Sequence, residues 1–94
     1  MMAELPDIKQ EKLFDLVLCI TGSRQSAMRA IHRLPRDLQQ IATIEAIPQT
    51  RQVRVALPLA TSRSHAIRTQ AMLIEDFPDS FLVPRNDKED EDQK

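Results

Sequence analysis

The strongest constraint on the fold is a strand–helix–strand pattern that occurs twice. Gln52-Val53-Arg54-Val55-Ala56-Leu57 alternates polar or small residues with aliphatic ones, the period-two signature of a half-buried strand, and Pro58 closes it. Thr61 and Ser62 then offer a hydroxyl cap to a helix over about Arg63–Glu75, which Phe77-Pro78-Asp79 breaks. Ser80-Phe81-Leu82-Val83 reads as a second short strand, stopped by Pro84. The preceding segment follows the same plan: a strand over about Asp15–Ile20, the turn Thr21-Gly22-Ser23, a helix over about Arg24–Leu34, and a strand over Ile41–Ile47. Joined by Pro48-Gln49-Thr50, the two β-α-β units predict an α+β chain of order β-α-β-β-α-β.

Ninety-four residues make one small domain, with room for a single core layer between sheet and helices. Charge is unevenly placed around it. The span 16–85 carries nine Arg against five acids, while residues 1–15 carry two Lys against four acids and residues 86–94 two Lys against five. The body is therefore mildly basic between acidic ends. The last nine residues are too charged to order themselves and predict a disordered acidic tail; residues 1–14 predict a partly flexible leader, either loose or with a short helix up to Lys12. No apolar run approaches the roughly 18 residues of a membrane span. Read as a full-length chain the protein is expected in the cytoplasm; read as a fragment of an anchored protein, in the periplasm.

The first strand is apolar on both faces, Leu16, Leu18 and Ile20 on one and Val17 and Cys19 on the other, which predicts a central or covered position. The second strand points Ala42, Ile44 and Ala46 inward, with Thr43 and Glu45 outward. The third points Val53, Val55 and Leu57 inward, with Gln52, Arg54 and Ala56 outward, so that Glu45 and Arg54 face each other across the hairpin. The 3.6-residue period puts Ala27, Met28, Ile31 and Leu34 on the buried stripe of the first helix. Helix two is expected to bury Ala66, Ile67, Leu73, Ile74 and Phe77.

Little here points to catalysis. His32 and His65 fall on different helices, each on the side expected to be exposed, and no spacing suggests a metal site or a cofactor. Ser23, Ser62 and Ser64 are helix-start residues, and no nucleophile, base and orienting group can be nominated together. Cys19 is the only cysteine, which excludes an internal disulfide. Arg29, His32, Arg33 and Arg36 form a basic helix face, read first as a solvated surface and, more sharply, as a site for an anionic partner. Nucleic acid is the less expected partner, because it favours stacking aromatics and the chain has no Trp or Tyr and three Phe.

Both halves resemble the sporulation-related repeat, or SPOR domain. Leu16 to Ala27 can be laid without gaps on that family's first strand, turn and opening helix. Val53-Arg54-Val55, Pro58-Leu59, Ser62-Arg63 and Ala66 are similar to its second half-motif, as is Phe77-Pro78-Asp79-Ser80-Phe81-Leu82-Val83. The chain departs from the pattern at Val17, Cys19, Ile20 and Thr21, where the family has Gln, Gly, Ser and an aromatic. It also has Ala56-Leu57 before Pro58, where one Gly is usual, and an extra residue before the helix.

The resemblance implies a ferredoxin-like β-α-β-β-α-β domain over 15–85, with a four-stranded antiparallel sheet and two helices on one face. It further implies a non-catalytic binding module of the cell wall, acting in cell division, whose other sheet face binds peptidoglycan glycan strands. Val17, Thr43, Glu45, Gln52, Arg54 and Leu82 would line that groove. The alternative is a cytoplasmic protein–protein adaptor, or a homodimer, that uses the same face through Val17, Cys19 and Leu82.

Overall fold

The computed structural model describes residues 12–85. The readings of residues 1–11 as leader and of 86–94 as tail lie outside the described residues. Within them the elements are β1 (Phe14–Thr21), α1 (Arg24–His32), α2 (Arg36–Gln39), β2 (Thr43–Ala46), β3 (Val53–Thr61), α3 (Arg63–Leu73) and β4 (Phe81–Pro84). The sheet order is β2-β3-β1-β4, every neighbouring pair antiparallel. This is the α+β, ferredoxin-like arrangement expected, with β1 and β3 central. The short α2 is an addition to it, placed between the first helix and the second strand.

Hydroxyl caps start α1 and α3 as their residues suggest, but β3 does not close at Pro58: it runs on to Thr61, with Pro58 exposed, and β4 includes Pro84. The Ser23 Oγ accepts from the Ser26 N–H at 3.1 Å and the Ser62 Oγ from the His65 N–H at 3.2 Å, capping α1 and α3. At the other end of α1 the Gln39 amide donates to the His32 carbonyl at 3.4 Å, one of those a helix leaves unpaired, and more closely, at 2.8 Å, to the Leu34 carbonyl just beyond the helix. The β2–β3 connection is a turn in which the Thr50 N–H donates to the Ile47 carbonyl at 3.2 Å across Pro48 and Gln49. Gln49 has φ 68°, the left-handed conformation that a type II turn requires after its proline. A side chain pays a steric penalty there that glycine avoids. Gln49→Gly is expected to raise stability by about 1 kcal/mol. Urea titration monitored by circular dichroism would show it as a higher midpoint at unchanged slope.

The core lies between the sheet and the helices. Leu16, Leu18, Val55 and Leu57 are fully buried in it, joined by Ala27 and Ile31 from α1, Leu73 from α3 and Phe77 beyond it. Each buried aliphatic side chain contributes roughly 1.5–3 kcal/mol. Two expectations for the helices need correction. In α1 the buried stripe is Ala27, Ala30, Ile31 and Leu34, and Met28 is 47% exposed. In α3 Ile67 and, just beyond it, Ile74 are exposed, and the inward stripe is Ala66, Gln70, Leu73 and Phe77. Gln70 belongs there because its amide donates to the Ser80 carbonyl at 2.8 Å, tying α3 to the start of β4.

Both central strands are irregular. Between Val17 and Cys19 the β1–β3 register shifts by one residue, so that Leu18 is an insertion opposite Val55. A second irregularity falls between the pairs Phe14–Thr61 and Leu16–Leu57, where β3 carries the surplus residues. There Ala60 takes φ 48° and its N–H donates to the Asp15 Oδ1 at 2.8 Å. The Asp15 Oδ2 meets the Arg85 Nε at 3.1 Å, so one carboxylate ties β1 to the ends of β3 and β4.

Candidate functional site

The helices occupy one face of the sheet, and the register defines what stands on the other. Two cross-strand rows run over it. One is Phe81, Val17, Ala56 and Thr43, taken from β4, β1, β3 and β2 in turn. The other is Ile20, Arg54 and Glu45, from β1, β3 and β2. At the usual strand spacing of about 4.8 Å the longer row spans roughly 14 Å.

Val17 (1% exposed) and Ala56 (6%) are the short side chains in the middle of this face, and Phe81 (43%) and Ile20 (46%) stand proud of them. The face is thus a shallow trough in which Val17 and Ala56 are closed off from solvent, and the surface it offers is that of the side chains around them. One rim is the aromatic ring of Phe81. Toward the β2 edge stand Thr43 and the ion pair of Arg54 with Glu45, Nε to Oε1 2.7 Å. Both partners of that pair are about two-fifths exposed, so the pair contributes little to stability and keeps donors and acceptors available to a ligand. Thr43 also sets its hydroxyl 3.4 Å from the Glu45 Oε2.

Of the residues expected on this face, Val17, Thr43, Glu45 and Arg54 are brought together there. Gln52 is exposed just before β3, where its N–H donates to the Thr50 Oγ1 at 3.0 Å and holds the turn. Cys19 and Leu82 are not on the face, and both corrections have a physical reason. The insertion of Leu18 turns Cys19 to the side of Val55, where it packs against the core. There burial pushes its thiol pKa up, the Arg33 charge opposing and Asp79 adding to the shift. Leu82 pairs with Leu16, a core residue, and packs against the core with it. Their places on the trough are taken by Ile20 and Phe81.

The basic residues are divided rather than gathered. Arg29 and His32 are exposed on α1, and Arg36 opens α2. Arg33, at the end of α1, lays its guanidinium 5.1 Å from the centroid of the Phe77 ring, a cation–π contact. Among the described residues no three His, Cys, Asp or Glu side chains are grouped to hold a metal ion, and no helix is long and apolar enough to cross a membrane. Comparison with protein-family models, curated proteins and solved structures returns no match to the chain.

Proposed function

We propose that the chain is a non-catalytic binding module whose ligand lies in the trough of the sheet, and that the ligand is a peptidoglycan glycan strand. The observation that carries this reading is the pairing on one face of an exposed aromatic, Phe81, with an exposed hydrogen-bonding set, Arg54, Glu45 and Thr43. A glycan strand offers apolar C–H faces and polar hydroxyl edges in succession, so an aromatic plane at one rim and donors and acceptors toward the other edge suit sugars several units apart. The β-α-β-β-α-β order and the resemblance to the SPOR half-motifs support the same ligand class. The reading needs the domain to reach the cell wall, as part of an exported or anchored protein.

Retention on purified sacculi, with and without amidase removal of the stem peptides, tests it. Stronger retention on the amidase-treated wall is expected, with about a tenfold loss for Phe81→Ala and a similar loss for Arg54→Ala, roughly 1.4 kcal/mol each. Both side chains are about two-fifths exposed and outside the core cluster, so the variants are expected to stay folded. No retention on either wall preparation would sink the proposal.

A second reading rests on the apolar share of the same face. Ile20 and Phe81 are each more than two-fifths exposed, as a protein–protein contact between copies or with a partner would use. It predicts a dimer in sedimentation equilibrium that Phe81→Ala dissociates, and no preference for either wall preparation.

A further inference from the structure

The sheet has two outer strands, and they are defended differently. β2 carries Thr43 and the charged Glu45, and a charge on an outer strand discourages another strand from adding to it. β4 carries Phe81, Leu82 and Val83, with no charge before Arg85. The Arg85 N–H donates to the Leu13 carbonyl at 2.8 Å, and the register pairs Asp15 with Val83 and Val17 with Phe81. Alternate residues of β4 thus turn their backbone to β1. The N–H and C=O of Leu82 and the C=O of Pro84 are left on the outer edge. Ser80, just before the strand, adds no free group to that edge. Its N–H donates to the Phe77 carbonyl at 3.1 Å, and its C=O accepts from the Gln70 amide at 2.8 Å.

Large apolar side chains flank this edge on both sides. Phe81, 43% exposed, stands on the trough side. On the helix side, α3 turns Thr69 and Met72 toward α2, and Ala66 and Leu73 toward the sheet. The helical period then leaves Ile67 and Ile74, 41% and 40% exposed, on the flank away from α2. That is the flank nearest Gln70, whose bond to Ser80 marks the β4 side of the helix.

We infer that β4 pairs with β4 of a second copy of this chain, antiparallel about Leu82. The two ends of the strand select a second copy over any other strand. In this register the two Leu82 residues exchange a reciprocal pair of N–H···O=C bonds. Ser80 then stands opposite Pro84 of the second copy. Both backbone groups of Ser80 are already bonded and Pro84 has no N–H, so no donor is orphaned at that pair. A strand with any other residue there would aim an N–H at a carbonyl already occupied. The charges agree with the same register. Exposed Asp79 precedes β4 and Arg85 follows it, so each Asp79 faces the Arg85 of the other copy, beside the Asp15 contact that Arg85 already makes. Phe81 comes against Val83 of the second copy on the trough side, and Ile67 covers the joint from the helix side. The two-fold axis runs through the sheet, so both troughs open on one face of an eight-stranded sheet. Pairing at this edge therefore leaves the troughs free and requires neither reading of their ligand.

Sedimentation equilibrium of the 94-residue chain, with amide hydrogen exchange read residue by residue, provides the test. A reversible dimer with a dissociation constant of about 10–100 μM is expected, as two backbone bonds and a few apolar side chains per copy would give. The Leu82 amide is expected to exchange about fivefold more slowly at about 1 mM than at about 10 μM. The Phe81 and Val83 amides face β1 and are expected to be protected at both concentrations. Ile67→Lys is expected to weaken the dimer about tenfold or more, and Arg54→Ala, on the trough, to leave it unchanged. Ile67 is an exposed helix residue, and a melting temperature within a few degrees of the parent verifies that the variant is folded. A monomer at every concentration, with Leu82 exchange independent of concentration, overturns the inference and leaves this edge to a strand of another protein. A dimer that Ile67→Lys leaves intact and that does not slow Leu82 exchange overturns it in favour of contact through the trough.

Discussion

Replacing Phe77 by alanine is expected to lower stability by about 3–5 kcal/mol, the range for truncating a fully buried aromatic. Phe77 is 1% exposed and heads the fully buried side chains by volume. Its position explains the weight. It follows α3, packs into the cluster of Leu16, Leu18, Val55 and Leu57, and carries the Arg33 guanidinium on its ring. The truncation thus opens a cavity in the core and removes a contact between the end of α1 and the residues beyond α3. Native stabilities are about 5–15 kcal/mol, so the loss is a large fraction of the whole. It should appear in a thermal melt as a fall of roughly 15 °C or more. Two companions separate the components. Phe77→Leu keeps most of the volume and is expected to cost under about 2 kcal/mol. Arg33→Gln removes only the cation and is expected to cost about 0.5–1 kcal/mol, as an exposed cation–π contact does. A Phe77→Ala protein that melts within a few degrees of the parent would show that this side chain is not at the centre of the core.

How far the fold was legible depends on where polar residues break a tie. In β2 and β3 the polar set Thr43, Glu45, Gln52 and Arg54 alternates with Ile44, Val53 and Val55, so only one choice of inward face keeps charge in water. The expected Glu45–Arg54 pairing follows from that choice and is present at 2.7 Å. In β1 the run Leu16-Val17-Leu18-Cys19-Ile20 is apolar at every position, and both parities bury similar surface. Nothing in its residue types marks an insertion, since the irregular residue is Leu18 and no glycine stands near it before Gly22. The fourth strand has the same ambiguity. Phe81 and Leu82 are comparable in hydrophobicity, and only the register with Leu16 and Val17 assigns Leu82 to the core and Phe81 to the trough. Val17, Thr43, Glu45 and Arg54 were therefore assigned to the face on which the register sets them. Its aromatic was missed, and that is the residue on which the glycan reading now rests. Gln70 is a related case: its polarity alone favours the outside of α3, and an amide–carbonyl hydrogen bond to Ser80 holds it half-buried.

The irregularity at Leu18 has an energetic signature that a regular strand does not share. In unbroken alternation Leu18 and Ile20 occupy the same face and bury alike, so substituting either should cost alike. The observed register pairs Ile20 with Arg54 on the trough, at 46% exposure, and leaves Leu18 fully buried against α1 and α3. Leu18→Thr removes aliphatic volume and buries a hydroxyl, for a combined cost of about 3 kcal/mol or more. Ile20→Thr keeps a β-branched side chain of good strand propensity on a half-exposed site and is expected to cost about 1 kcal/mol or less. Chemical denaturation of the two variants measures the difference directly. Equal and large losses would mean that Ile20 is inside and the strand regular. In that case Cys19 would return to the open face and the trough would lose one of its two exposed apolar residues. A gap of about 2 kcal/mol in the expected order instead ties the composition of the trough, Ile20 in and Cys19 out, to the single inserted residue that turns the strand.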